Sequence, residues 1–95
     1  MVVGVIKLNL ILPENHSLKG KRGVLRKVQA RVRQQFNVSV TECDHQDLWQ
    51  STVLGFGAVG SSQKIVDATL QKVIDFVDGL KLAQVGRTEI EIFHC

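Results

Sequence analysis

Two stretches of helical periodicity, each set between stretches of two-residue alternation, constrain this chain more than any other feature. In residues 18–36 the apolar side chains Leu18, Leu25, Val28, Val32 and Phe36 recur at spacings of seven, three, four and four. Further on, Val66, Leu70, Val73, Val77 and Leu80 recur at four, three, four and three. Each set is one stripe on a helix of 3.6 residues per turn. Residues 2–12 alternate instead, with Ile6, Leu8, Leu10 and Leu12 facing one way and Lys7, Asn9 and Ile11 the other. Val38, Val40 and Glu42 alternate with Ser39, Thr41 and Cys43. Residues 51–59 place Leu54, Phe56 and Ala58 inward, and residues 82–93 set Ile90 and Ile92 against Glu89, Glu91 and Phe93. Alternation of this kind is the mark of a half-buried strand.

The resulting order is β-α-β-β-α-β, the split βαβ pattern. Right-handed crossovers place both helices on the same side of the sheet. The expected class is α+β: a ferredoxin-like βαββαβ sandwich, two helices on one face of a four-stranded antiparallel sheet, with residues 1–95 forming a single domain. Local signals mark the boundaries. Pro13 ends the first strand, because proline cannot donate to a ladder. Ser17 caps the first helix and Ser61 or Ser62 the second. Asn37, able to take φ > 0, is expected to end the first helix, and Gly79 the second. The second and third strands lie close enough for a hairpin.

The strand faces turned away from the helices would carry Val3, Val5, Lys7, Asn9, Ile11, Ser39, Thr41, Cys43, Val53, Val59, Glu89, Glu91 and Phe93. That mixture is too apolar for a plain solvent face and too polar for a core. The pattern predicts a symmetric homodimer through this open face.

Charge is concentrated in one place. The net charge is +3, yet seven of the twelve basic residues fall within residues 19–33. On a helical wheel Lys19, Arg22, Arg26 and Arg33 form a band roughly 60° wide on one flank of the apolar stripe, with Lys27 and Arg31 on the other. No acidic residue lies among them. Like charges at this spacing repel, and a polyanion relieves the repulsion. The helix start, SLKGKRG, adds free backbone N–H groups and two glycines, Gly20 and Gly23, that permit close approach. RNA or a ribosome is the expected partner, with Lys19, Lys21, Arg22, Arg26, Lys27, Arg31 and Arg33 as the phosphate-facing set. The competing reading is a solvated face paired across to Asp67, Asp75 or Asp78. With four Phe, one Trp and no Tyr, the strands carry no RNP-type stacking motif.

A second candidate is the segment ECDHQDLWQ. Glu42, Asp44, His45 and Asp47 bring three carboxylates and an imidazole within six positions. Such groups can bind a small ligand or a divalent ion, which makes Asp44, His45, Gln46, Asp47 and Trp49 a possible ligand-binding set. Their spacing matches no specific metal motif, so no metal site is expected. The alternative is a structured hairpin in which His45 and Asp47 tie the loop and Trp49 packs at its base. The run Gly55-Phe56-Gly57-Ala58-Val59-Gly60 spells a dinucleotide-binding motif but falls on alternating strand, without the required acidic residue about 20 positions on. No cofactor is expected. No Ser-His-Asp, Cys-His or zinc arrangement is recognisable, so the reading is a non-enzymatic protein without catalytic residues.

Cys43 and Cys95 have neither metal-type nor disulfide-framework spacing and read as reduced thiols. No apolar run approaches the ~20 residues of a membrane helix. The opening MVVGVIKLNLIL reads as a core strand and not as a signal peptide, which points to the cytoplasm.

Three segments, VVGVIKLNLILPENHSLKGKRGVL, FNVSVTECDHQDLWQSTVLGFGAV and the closing IEI, together resemble the YlxP-like family of small bacterial proteins of unknown function. SLKxKR and DHQDLWQ are the most specific parts, and the resemblance spans nearly the whole chain. It implies a ferredoxin-like fold, no established enzymatic activity and no catalytic residue to carry over. The family takes its name from a gene in a cluster encoding transcription, translation-initiation and ribosome-maturation factors, which leans toward RNA or ribosome contact. The Gly20/Gly23 pair at the helix start departs from the family pattern and implies a looser first turn.

Overall fold

The computed structural model describes residues 1–44 and 48–95. Its elements run β1 (Val2–Ile11), α1 (Leu18–Gln35), β2 (Ser39–Asp44), β3 (Ser51–Gly60), α2 (Gln63–Leu80) and β4 (Gln84–His94). The sheet has the order β2-β3-β1-β4 with every neighbouring pair antiparallel. Both helices cover one face. This is the ferredoxin-like βαββαβ sandwich that the periodicity predicts.

Alternation decides which side chains are inside. Ile6, Leu8 and Leu10 of β1 and Leu54 and Phe56 of β3 are fully buried, and Leu25, Val28 and Val32 of α1 and Val66, Leu70, Val73 and Val77 of α2 close over them. Gly4 lets α2 come this close. A Cβ there would strike Val66 Cγ1 and would lie 2.7 Å from Leu70 Cδ1. The predicted inward position of Ile90 is only partly realised. Ile90 pairs with buried Ile6, but β4 lies at the sheet edge and leaves it 47% exposed.

Ser17 caps α1 through a hydrogen bond that its Oγ accepts from Gly20 N, and Ser62 caps α2 in the same way from Ile65 N. Both helix ends differ from expectation. Asn37 does not take positive φ. Phe36 ends α1 in extended conformation (φ −134°), its N–H still donating to Val32 O, and the chain passes directly into β2. The Phe36 ring meets Phe76 edge-on at 5.4 Å, which holds this end without a left-handed turn. Nor does Gly79 stop α2. The helix runs through it, and Lys81 (φ 57°) supplies the left-handed residue, its N–H donating to Asp78 O.

Candidate nucleic-acid interface

Helix α1 lies over the sheet with Lys21, Leu25, Val28 and Val32 buried, and the side of the helix away from them faces solvent. Lys19, Arg22, Arg26, Lys27, Arg31 and Arg33 are all exposed. Among the described residues, none of these six forms an ion pair, and no ion pair joins α1 to Asp67, Asp75 or Asp78. Arg33 donates from Nη2 to the Val40 carbonyl at 3.2 Å, which draws its guanidinium toward the edge strand β2.

Lys21 does not belong to this face. It is 1% exposed, among the largest fully buried side chains of the protein. Its Nζ donates to the Leu48 carbonyl at 2.7 Å and pairs with Glu42 Oε2 at 3.2 Å. Thr52, also fully buried, donates from Oγ1 to the same carboxylate oxygen at 2.5 Å. The sequence signal for this was present. Lys21 precedes Leu25 by four residues and Val28 by seven, which puts it on the apolar stripe itself. Counting it with its charged neighbours overlooked that phase.

The same anchor redraws the second candidate. Glu42 holds the inward phase that the alternation of the second strand gives it, and the strand runs one residue further than that alternation, to Asp44. A bulge in β2 sets both Cys43 and Asp44 against Val53. Glu42 stays opposite buried Leu54 and faces the helices, while exposed Asp44, beyond the bulge, lines a concavity on the opposite sheet face. His45, Gln46 and Asp47 lie outside the described residues. Trp49 is 54% exposed and does not pack at the hairpin base as expected. Instead the backbone on this side is tied to the turn before α1. Asn15 Nδ2 donates to the Trp49 carbonyl, and Gln50 Nε2 donates to the carbonyls of Pro13 (3.1 Å) and Asn15 (3.0 Å). The start of α1 and the turn before it are thus in direct contact with residues 48–50, with Lys21 as the strut between them. Among the described residues, no group of three or more His, Cys, Asp or Glu side chains could hold a metal ion.

The open sheet face carries the residues that the alternation assigns to it. Its concavity, about 510 Å³, is lined by Lys7, Asn9, Ile11, Cys43, Asp44, Ser51, Val53, Arg87 and Glu89. Arg87 was not singled out in the sequence. It reaches the site beside a register shift between β1 and β4 and pairs with Glu89 at 3.3 Å. Cys43 and Cys95 are both free thiols. The glycine-rich motif at residues 55–60 lies within β3, as its alternation requires. Among the described residues, no helix is long and apolar enough to cross a membrane.

The fold and this surface define a small ferredoxin-like protein with a cationic helix and an uncovered sheet face. Residues 3–90 match the family described as "Protein of unknown function (DUF503)". The chain belongs to that family. It is 37% identical over 92 residues to "Uncharacterized protein YlxP" of Bacillus subtilis (strain 168), an alignment covering 97% of this chain and all of that one. Among solved structures it is similar to the de novo designed protein Foldit4, with a TM-score of 0.54 at 10% identity, covering 99% of this chain and 97% of that chain. It also resembles a putative antibiotic biosynthesis monooxygenase from Deinococcus radiodurans, with a TM-score of 0.49 at 17% identity, covering 100% of this chain and 92% of that chain. At such identities the likeness concerns the fold alone.

Proposed function

We propose that this protein is a non-enzymatic RNA-binding protein of the bacterial cytoplasm that contacts RNA or the ribosome through α1. One observation carries the reading: six exposed cations on one helix with no carboxylate paired to them among the described residues. A face built for solubility gains by interleaving both signs, and here α1 holds no acidic residue at all. Phosphate oxygens at the spacing of a nucleic-acid backbone would relieve the mutual repulsion along the helix and release condensed counterions. Few aromatic side chains are available for stacking, so the contact is one of charge and shape with little base selectivity.

The test is retention of a single-stranded RNA oligonucleotide measured over a range of salt. If most of the six cations engage phosphates, log K against log salt has a slope of about −3 to −4, at about −0.7 per neutralised phosphate. The double reversal Arg22→Glu/Arg26→Glu should abolish retention and leave the fold intact, because both residues project into solvent. An affinity unchanged by that reversal at low salt removes α1 from the function.

A further inference from the structure

Two glycines on the open sheet face have no explanation within one chain. Gly55 and Gly57 stand in the middle of β3, where a missing side chain weakens a strand. Neither has positive φ. A Cβ at Gly57 would meet nothing within 4 Å, and one at Gly55 would meet Cys43 Sγ at 3.6 Å, an ordinary contact. Gly60 of the same strand differs, since a Cβ there would lie 2.9 Å from Val66. The fold of a single copy therefore does not call for glycine at 55 and 57. Together they floor a shallow trough of about 290 Å³. Beside it β1 raises a row of side chains, because Val5 is paired with Gly57 and Lys7 with Gly55. A ridge and a groove lie next to each other on this face.

That geometry selects its own partner. A two-fold axis along the strand direction, between β1 and β3, would lay the ridge of each copy into the groove of the other. The same axis sets the apolar end of the face, where Val59 is 66% exposed and Phe93 48% exposed, against its own image. Charge on the face is mixed, with Lys7 and Arg87 standing beside Glu89 and Glu91, which opposes a polyanion and leaves little net charge to repel a second copy. Three strands of ten or eleven residues and one of six present roughly 600 Å². Two such faces bury about 1,200 Å², the lower bound for a stable specific interface.

We propose that a second copy of this chain docks on the open sheet face as a two-fold dimer, with Val5 and Lys7 of each copy filling the trough over Gly57 and Gly55 of the other. The inference stands apart from RNA binding, since α1 lies on the opposite side of the sheet. Sedimentation of the full chain at high micromolar concentration tests it, beside Gly57→Val and Val59→Glu. The wild type should run at twice the chain mass, with a melting temperature that rises with concentration. Gly57→Val fills the trough from within and should run as a folded monomer. Val59→Glu, at an exposed position, should do the same and covers the case in which Gly57→Val does not fold. A wild-type monomer overturns the proposal, as does a dimer that survives both substitutions. Loss of RNA retention in Gly57→Val without loss of mass would also overturn it, by giving the trough to nucleic acid.

Discussion

Lys21→Met separates the two roles that a lysine on this helix can have. Methionine keeps an unbranched stem in the same space and removes the ammonium. Glu42 Oε2 then loses its partner at 3.2 Å and the Leu48 carbonyl its donor at 2.7 Å, while Thr52 still donates to Glu42. Removing one member of a fully buried pair costs about 3–5 kcal/mol, because a charge is stranded. The Glu42 side chain is 23% exposed, so solvent recovers part of that loss and the expected destabilisation is about 2–3 kcal/mol. In a domain of this size each kcal/mol lowers Tm by about 4–8 °C, which sets the expected drop at about 10–20 °C. Circular dichroism melting and urea unfolding would read it. Glu42→Gln in the Lys21→Met background removes the stranded charge yet keeps an acceptor for Thr52, and should restore at least half of the loss. A Tm within a few degrees of wild type, with weakened RNA retention instead, would refute the burial argument and return Lys21 to the phosphate-facing set.

Four further outcomes follow from the geometry of single residues. Gly4→Val should lower stability by about 1–3 kcal/mol in a urea titration, because its Cβ would run into Val66 and Leu70 under α2. Gly79→Ala should raise stability by about 1 kcal/mol, since the residue is exposed inside α2 and its Cβ would meet nothing within 4 Å. Lys81→Gly should also stabilise, by up to about 1 kcal/mol, by relieving a left-handed residue that carries a Cβ. Ser62→Ala should cost about 1 kcal/mol through loss of the α2 cap, read as a lower Tm.

The elements were legible because hydrophobic phase decides them locally. Leu54, Phe56 and Ala58 declare the inner face of β3 whatever lies beside it, and the glycine-rich motif there could be set aside on that phase alone. The helix ends were less legible, because the competing solutions differ by little energy. Asn37 and Gly79 carry the right propensity, but Phe36 finds Phe76 and Lys81 finds the carbonyl of Asp78. Least legible was the polar interior. Glu42 was on the inward phase of its strand, but nothing local tells Lys21 that this carboxylate, twenty-one residues on, is the one it will meet. The residue's position on the stripe was visible and its partner was not. The bare trough at Gly55 and Gly57 was hidden for a related reason: a glycine's meaning depends on what its absent Cβ would touch, and that is a tertiary fact.

The two proposed surfaces constrain each other through their placement. A dimer formed through the open faces would put the two sheets about 10 Å apart and the two α1 helices on opposite outer sides, with axes about 30 Å apart. That separation is several Debye lengths at physiological salt, so neither cationic face would feel the other. A short RNA would then see one helix with its own six exposed cations, and its salt dependence would be the same for monomer and dimer. Only an RNA long enough to pass around the edge of the sandwich could hold both helices, and for it the gain would come from effective concentration without any new contact. Gly57→Val and the Arg22→Glu/Arg26→Glu reversal therefore act on different quantities. The first would remove the advantage of long RNA over short, and the second would remove retention of both.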